Sequence, residues 1–215
     1  RCQRMPLQYL TGEQEFMGLS FAVNKDVLIP RQDTEVLVEE AIQILKSERP
    51  GSRVLDLCTG SGCIGISIQS YCTDTKVTGA DISEKALQVA KNNALHNQVS
   101  MNFVQSDLFS EISGKFDMII SNPPYIPSKV IDTLMPEVRD HEPMGALDGK
   151  EDGLYFYRKI TEESVVHLND GGYLLYEIGH DQAEAVSGFM KKHGFKDIKV
   201  IHDLAGLDRV VRGRR

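Results

Sequence analysis

The sequence lacks any long apolar run. No window of its 215 residues approaches the ~18 consecutive apolar residues that a membrane-spanning helix needs. Its start, RCQRMPLQYLTG, lacks the apolar core of a signal peptide and does not begin with methionine. We therefore expect a cytoplasmic protein with no membrane partner, and a chain that is a fragment of a longer one.

Cysteine and histidine are sparse and widely spaced. The four cysteines (Cys2, Cys58, Cys63 and Cys72) form no C-x-x-C pair, and the six histidines are scattered. Zinc sites need ligands at closer spacing, so we predict no metal site. Isolated cysteines are typical of a reducing compartment, where thiols stay free.

Positive charge is in deficit. Lysine and arginine number 24 against 31 aspartates and glutamates, which gives a net charge of −7. Affinity for nucleic acid depends on neutralising phosphates, so we expect no direct nucleic-acid partner. The proportions of hydrophobic residues (41%) and charged residues (26%) are those of a soluble folded domain. A chain of this length buries a core without disulfides, and we predict a monomer.

The pattern of apolar segments divides the chain into a preface and a main domain. In the preface, residues 1–32, the apolar stretches of 7–30 are separated by glycine and polar residues and predict one or two β-hairpins. The main domain, residues 33–215, opens with a helix predicted at 31–47, for which Asp33 is the expected N-cap.

Strands and helices then alternate. Strands are predicted at 53–58, 77–82, 101–104, 116–121 and 172–178, and helices at 63–71, 83–97 (with Ser83 as N-cap), 152–168 and 181–193. This order predicts an α/β fold with a mostly parallel sheet covered on both faces. Two last strands, at 198–202 and 209–212, have no helix between them and predict an antiparallel hairpin at one edge of a seven-stranded sheet.

The segment 126–150 is unusually long for a connection and rich in proline, aspartate and glycine. Such segments are usually functional or disordered. Its acidic residues include Glu137, Asp140, Glu142 and Asp148, and Glu151 and Asp152 follow it. We expect a solvated surface here rather than a contact surface for a basic partner.

A glycine-rich loop joins the first sheet strand to its helix. It runs from Asp56 to Gly62 and contains Gly60-x-Gly62-x-x-Gly65. Glycines allow a tight turn and close approach of a ligand, and Asp81 at the end of the next strand can accept both hydroxyls of a ribose. The pattern fits a dinucleotide site or an S-adenosylmethionine site. Asp56, which could orient the loop or meet the cofactor's amino group, and the bulky Cys58 favour the second.

A second motif, Asn122-Pro123-Pro124-Tyr125, follows the strand at 116–121. The carboxyl ends of parallel strands share one edge, so this motif lies beside the glycine loop. The Asn122 side-chain oxygen and the Pro123 carbonyl can accept both protons of a planar –NH2 group, and Tyr125 can pack on it. Such acceptors orient the nitrogen lone pair toward a sulfonium methyl, which then needs mainly positioning. The sequence shows no His or Glu committed to a base.

The residues leave three other functions open. The acceptor of methyl transfer could be the amino group of adenine in nucleic acid, although that requires a positively charged channel. The glycine pattern could serve a nicotinamide-dependent oxidoreductase, and the chain could be a non-catalytic binding module.

These motifs resemble those of the release-factor glutamine methyltransferases, the HemK/PrmC family. The resemblance covers essentially the whole chain through PLQYLTGEQEF (6–16), VLIPRQDTE (27–35), VLDLCTGSGCIGI (54–66), DIS (81–83), SDLF (106–109), SNPPYIP (121–127), YEIGHDQ (176–182) and DLAGLDRVV (203–211). NPPY alone is shared with many amino-methyltransferases, whereas IPR-x-x-TE upstream of the glycine loop is much more specific.

The resemblance implies a Rossmann-like class I methyltransferase that uses S-adenosylmethionine and releases S-adenosylhomocysteine. Its implied substrate is the glutamine side-chain amide in the GGQ motif of peptide-chain release factors. The implied cofactor contacts are Cys58, Thr59, Gly60, Ser61 and Gly62 around the methionine part, Asp81 at the ribose, Asp107 and Leu108 at the adenine, and Asn122. The implied substrate contacts are Asn122, Pro123, Pro124 and Tyr125. Arg31, Thr34 and Glu35 match the family's signature and are expected to brace the cofactor loop and the active-site edge.

Two features depart from the family pattern. The family usually has glycine at the position of Cys58, and a side chain there is expected to alter how the loop sits. The family also carries a helical domain before the hairpin, which this sequence lacks. Because that domain is expected to help grip the release factor, we expect this chain to bind cofactor well and to methylate poorly.

Overall fold

The computed structural model describes residues 4–215, so the thiol predicted free at Cys2 lies outside the described residues. The preface holds a short helix, α1 (Leu7–Thr11), followed by one antiparallel hairpin of β1 (Glu13–Phe16) and β2 (Leu19–Ala22). One hairpin of the one or two predicted within 7–30 is therefore present, and the first apolar stretch of that range is helical instead. Gly12 ends that helix in the left-handed conformation, with φ of 79°, and its N–H donates to Gln8 O.

The remaining strands form one sheet of seven. They are β3 (Arg53–Leu57), β4 (Lys76–Asp81), β5 (Asn102–Gln105), β6 (Phe116–Ser121), β7 (Leu168–Glu177), β8 (Lys196–His202) and β9 (Asp208–Arg214). Their order across the sheet is β5-β4-β3-β6-β7-β9-β8. The first five of these strands are parallel, and β9 is antiparallel to both β7 and β8. The predicted mostly parallel sheet with an antiparallel edge hairpin is confirmed.

Helices cover both faces of the sheet. They are α2 (Asp33–Glu48), α3 (Cys63–Tyr71), α4 (Glu84–His96), α5 (Ser128–Ile131), α6 (Pro136–Arg139), α7 (Tyr155–His167) and α8 (Ala183–Lys192). Successive side chains of a strand point to opposite faces. Accordingly, Val54 packs in an apolar cluster with α2, α3 and the hairpin residues Phe16 and Phe21, whereas Leu55 packs in a second cluster with α7 and α8. The hairpin therefore shares a core with one face of the sheet.

Two predicted helix caps have different outcomes. Ser83 is the N-cap of α4 and accepts a hydrogen bond from Ala86 N at 3.2 Å, as predicted. Asp33 is not a cap, because α2 begins at Asp33 itself after Gln32, and no side chain caps it. The Asp33 carboxylate lies instead in the first turn, where the helix dipole favours negative charge, and pairs with Arg209 at 3.2 Å.

The long connection is folded. It contains α5, α6 and a single 3-10 turn at Met144–Ala146, and Ile126 forms a parallel β-bridge with Asp148. These short elements were not predicted, because four-residue helices carry no readable period. Within residues 4–215, no helix combines the length and apolarity needed to cross a membrane. The same part of the chain contains no cluster of His, Cys, Asp and Glu suited to a metal ion.

Candidate active site

A cavity of about 580 Å³ opens at the carboxyl ends of β3, β4 and β6. Its walls come from segments far apart in sequence: the glycine loop, the end of β4, the segment after β5, the NPPY motif, the start of α2 and the long connection. Of the predicted site residues, those that line it are Arg31, Thr34, Cys58, Thr59, Gly60, Ser61, Asp81, Asp107, Leu108, Asn122 and Pro124. The fold therefore brings most of the predicted site to one place.

Asp56 organises the glycine loop from below. Its side chain is fully buried, and its Oδ2 accepts hydrogen bonds from Thr59 Oγ1 at 2.6 Å and Gly65 N at 3.0 Å. Burial raises the pKa of this carboxyl to about 7, against the opposing effect of these two bonds. Asp56 does not line the cavity, so of its two expected roles the contacts favour orienting the loop.

Cys58 turns the chain at the entrance to the loop. Its φ is 60°, in the left-handed region that glycine occupies at little cost. Burial raises the pKa of the thiol well above its usual value, against a smaller lowering effect of the Ser121 hydroxyl. This side chain therefore makes a weak nucleophile and acts through backbone shape and packing.

Gly62 supports the loop without lining the cavity. It has φ of 84° and precedes the first residue of α3. A methyl carbon added at Gly62 would lie 2.8 Å from Ile66 Cδ1 and 3.1 Å from Ala90 Cβ. Glycine is therefore required for α3 to pack closely on α4, and the expectation of a direct cofactor contact at Gly62 stays a prediction.

Asp81 ends β4 on the cavity wall. Its Oδ2 accepts from Gly60 N and its Oδ1 from Ser83 N, both at 2.9 Å. Burial raises the pKa of this carboxyl despite these bonds. Each oxygen keeps a second acceptor position, so the carboxylate can hold the loop and still accept two hydroxyl groups.

The segment after β5 forms the apolar side of the cavity. Asp107 and Leu108 line it, together with Ile82 from the end of β4. Leu108 has φ of 48°, and its carbonyl accepts a hydrogen bond from Ser106 Oγ at 2.7 Å. The Ser106 hydroxyl thus holds a strained turn that exposes Leu108 to the cavity.

Asn122 lines the cavity directly after β6, beside the glycine loop that follows β3. Its Nδ2 donates to Thr34 Oγ1 at 3.5 Å, and the Glu177 carboxylate lies near the same amide. The amide nitrogen therefore faces the protein, which leaves the Oδ1 acceptor for the cavity.

The other three residues of the NPPY motif differ in whether they line the cavity. Pro124 lines the cavity, but Pro123 and Tyr125 are absent from the lining found in the described chain. Tyr125 packs against the apolar cluster of α7 and α8, and burial raises its phenol pKa. Its carbonyl accepts from Gln182 Nε2 at 3.0 Å. Direct contact of Pro123 and Tyr125 with a substrate stays a prediction.

The three signature residues at the start of α2 have three different partners. Arg31 lines the cavity and forms an ion pair with Glu142 of the long connection. Thr34 contacts Asn122 at 3.5 Å, and its expected role in bracing the active-site edge stays a prediction. The Glu35 carboxylate accepts from Met17 N at 2.7 Å, which ties α2 to the β1–β2 hairpin rather than to the cofactor loop.

Two polar residues that sequence reasoning missed hold the site together. Glu177, 2% exposed at the end of β7, reaches Thr34 and Asn122, and burial raises its pKa to about 7. Asn93 of α4 is fully buried; its Nδ2 donates to Ser61 O at 2.9 Å while its Oδ1 accepts from Ala22 N at 2.8 Å. One feature of the sequence could have pointed to them. Each is a polar residue at a position that the periodic pattern of apolar residues predicts to be buried.

Three carboxylates of the acidic segment pair with basic neighbours: Asp140 with Arg139, Asp148 with Lys150 and Asp152 with Arg158. The arginines lower the pKa of Asp140 and Asp152, whereas the Ser128 hydroxyl is the main cause of the lowered pKa of Asp148. This pattern favours the expected solvated surface. The exception is Glu142, which is 6% exposed and belongs to the cavity wall through Arg31.

Comparison with known proteins identifies the family. Residues 32–137 match the family model of the methyltransferase small domain. A release factor glutamine methyltransferase of Clostridium botulinum is 44% identical over 220 residues, covering 100% of this chain and 77% of that protein. The chain belongs to the release factor glutamine methyltransferase family. A family member from Fusobacterium nucleatum is 43% identical over 217 residues, which cover 99% of this chain but 61% of that relative.

A solved structure supports the same assignment. The protein-(glutamine-N5) methyltransferase (release factor-specific) of Alicyclobacillus acidocaldarius is 34% identical and superposes with a TM-score of 0.56. The match covers 91% of this chain and 99% of that one. The predicted membership of the release factor glutamine methyltransferase family and the predicted class I methyltransferase fold are confirmed.

Proposed function

We propose that this chain methylates the side-chain amide nitrogen of the glutamine in the GGQ motif of peptide-chain release factors, with S-adenosylmethionine as donor. The observation that carries the proposal is the placement of Asn122. Its amide nitrogen is held by the protein, and its oxygen is left for the cavity that the glycine loop also lines. An acceptor at this position suits a substrate –NH2 group, and family membership identifies that group as a glutamine amide.

The cavity fits an adenosyl cofactor. The Asp81 carboxylate keeps two acceptor positions for ribose hydroxyls, and Leu108 with Ile82 offers an apolar surface for a flat base. Thr59, Gly60 and Ser61 line the space between that surface and Asn122. When bound, S-adenosylmethionine supplies an electrophilic methyl group.

The residues of the chain then act mainly by orientation. Asn122 Oδ1 and the Pro123 carbonyl would accept the two amide protons, which draws electron density onto nitrogen and fixes the direction of its lone pair. Two consecutive prolines hold the acceptors still, because each lacks an N–H and has a restricted φ. Since the proton can leave after the methyl group arrives, no strong base is required beforehand. A protein that modifies release factors would act in the cytoplasm.

The central experiment follows a labelled methyl group from the donor into release factor, DNA or rRNA in separate reactions. We expect label in the release factor alone, and on the GGQ glutamine. Label in nucleic acid alone would overturn the assignment of substrate. Thermal stabilisation by a nicotinamide dinucleotide, with none by S-adenosylhomocysteine, would overturn the assignment of cofactor.

Two variants separate substrate recognition by Asn122 from cofactor binding by Asp81. Asn122→Ala should lower methylation by about 100-fold or more, on the scale of removing one transition-state hydrogen bond, while stabilisation by S-adenosylhomocysteine is retained. Asp81→Asn should weaken that stabilisation. An Asn122→Ala enzyme with unchanged activity would show that the amide is not recognised here.

A further inference from the structure

The Asn122 side chain can be placed in two ways that differ by exchange of its oxygen and nitrogen. Only one of them presents an acceptor to a substrate –NH2 group. Thr34 cannot select between them by itself, because a hydroxyl both donates and accepts and the contact is long at 3.5 Å. An ionised carboxylate accepts only, so it can bond to the nitrogen end and not to the oxygen end.

We infer that Glu177 is a positioning residue of the methyl transfer, which acts through Asn122 by fixing its amide with the oxygen toward the substrate. The inference rests on the proposed function. It uses three contacts: Glu177 with Asn122, Glu177 with Thr34, and Thr34 with Asn122. When the Thr34 hydroxyl donates its proton to Glu177, only the lone pairs of its oxygen face Asn122. That oxygen then accepts a hydrogen bond from the amide nitrogen of Asn122 and cannot bond to the amide oxygen.

Burying the Glu177 carboxylate costs free energy, and a structural role alone does not explain that cost. Its Oε2 has no hydrogen-bond partner in the described chain, and an unpartnered buried carboxylate oxygen costs free energy. Arg209, 12% exposed, supplies favourable charge but is shared with Asp33 at 3.2 Å and Asp203 at 3.1 Å. A purely structural role is served as well by a neutral side chain of the same shape.

Glu177 faces titratable groups from every element around it. They are Asp33 of α2, Cys63 of α3, Tyr125 after β6, Tyr157 of α7 and Arg209 of β9. Tyr157 donates its hydroxyl proton to the Glu177 carbonyl at 2.9 Å, and burial raises the pKa of both neighbouring tyrosines and of Cys63. Burial raises the pKa of Glu177 itself to about 7.

The test is the pH profile of methylation at saturating S-adenosylmethionine, with release factor as substrate. For the wild type, kcat should rise about tenfold from one pH unit below the pKa of Glu177 to the plateau above it, since that is the change in ionised fraction. Glu177→Gln should lower the plateau at least tenfold and remove the rise. Stabilisation by S-adenosylhomocysteine should be unchanged, because Glu177 does not line the cavity.

Asp56→Asn is the matched control. Asp56 is equally buried, has the same raised pKa of about 7, and holds the glycine loop without contact to Asn122. The Asp56→Asn enzyme should keep the rise of kcat with pH, even if its plateau value of kcat differs from that of the wild type. Thr34→Val should also keep the rise, at reduced rate, because Glu177 still contacts Asn122 directly.

Three results would overturn the inference. They are a wild-type profile that is flat across this range, a Glu177→Gln enzyme that keeps the rise, and an Asp56→Asn enzyme that loses it. The first and the last of these results remain informative if Glu177→Gln folds poorly, since the wild-type and Asp56→Asn profiles do not depend on that variant. Wild-type activity on release factor tests the proposed function separately, so the two failures are distinguishable.

Discussion

Replacing Cys58 by glycine should relax the backbone of the cofactor loop. A side chain at φ of 60° costs roughly 1–2 kcal/mol relative to an ordinary conformation, whereas glycine has no such cost. Glycine in turn loses roughly 0.5–1 kcal/mol to the greater freedom of the unfolded chain. Comparing Cys58→Gly with Cys58→Ala removes the thiol from both variants, so the glycine variant should have the higher free energy of unfolding by about 0.5–1 kcal/mol.

Cys72 provides the matched control. It is also a buried cysteine, 5% exposed, but its φ is −129°, which any residue adopts. There the order should be reversed, with Cys72→Ala more stable than Cys72→Gly by roughly 0.5–1 kcal/mol. The difference between the two sites cancels the contribution of glycine in the unfolded chain and isolates the strain at Cys58, about 1–2 kcal/mol.

Urea unfolding of the four variants without ligand measures these differences, and each kcal/mol corresponds to roughly 2–4 °C in Tm for a domain of this size. If glycine is disfavoured by the same margin at both positions, Cys58 carries no strain. The departure from the family's usual glycine would then have no cost in the loop.

Two further perturbations test the site. Gly149→Ala should destabilise the fold by about 1–3 kcal/mol in a thermal melt, because the added carbon lies 2.8 Å from backbone atoms of Tyr125, whereas Gly145→Ala has open space and should be neutral; equal melts would contradict this. The free energy of unfolding should fall as pH rises from about 4 to about 7, because Asp56 and Glu177 hold protons in the folded state that the unfolded chain has lost. Asp56→Asn should flatten that dependence in urea titrations at several pH values, and an unchanged slope would show that Asp56 is not a source of it.

Sequence was sufficient where a local pattern determines a local structure. The parallel strands followed from short apolar runs that end in turn residues, and Ser83 from the preference of helix starts for a hydroxyl. The helix at Leu7–Thr11 was missed because five residues show too little of the 3.6-residue period to be told from a strand. Asp33 was misplaced by one position, which is the usual precision at a helix end.

Glu177 was beyond sequence reasoning for a different reason. It stands 55 positions after Asn122 (177 − 122), and the two meet only because β6 and β7 pair in parallel with Ser121 opposite Tyr176. That register depends on the whole sheet. The glycine loop and NPPY were found because each carries its chemistry within a few consecutive residues, whereas the groups that orient them come from other strands and helices.

Asn93 makes the hairpin and the cofactor loop mechanically one unit. A single buried amide bonds to both Ser61 and Ala22, so the loop cannot move away without breaking a contact with β2. Hydrogen exchange at the Ala22 amide should therefore slow when the cavity is filled, although Ala22 lies in the hairpin and outside the seven-stranded sheet. For protein engineering, trimming the chain back to the sheet would strip a partner from a fully buried amide, and a minimal catalytic domain has to retain the hairpin.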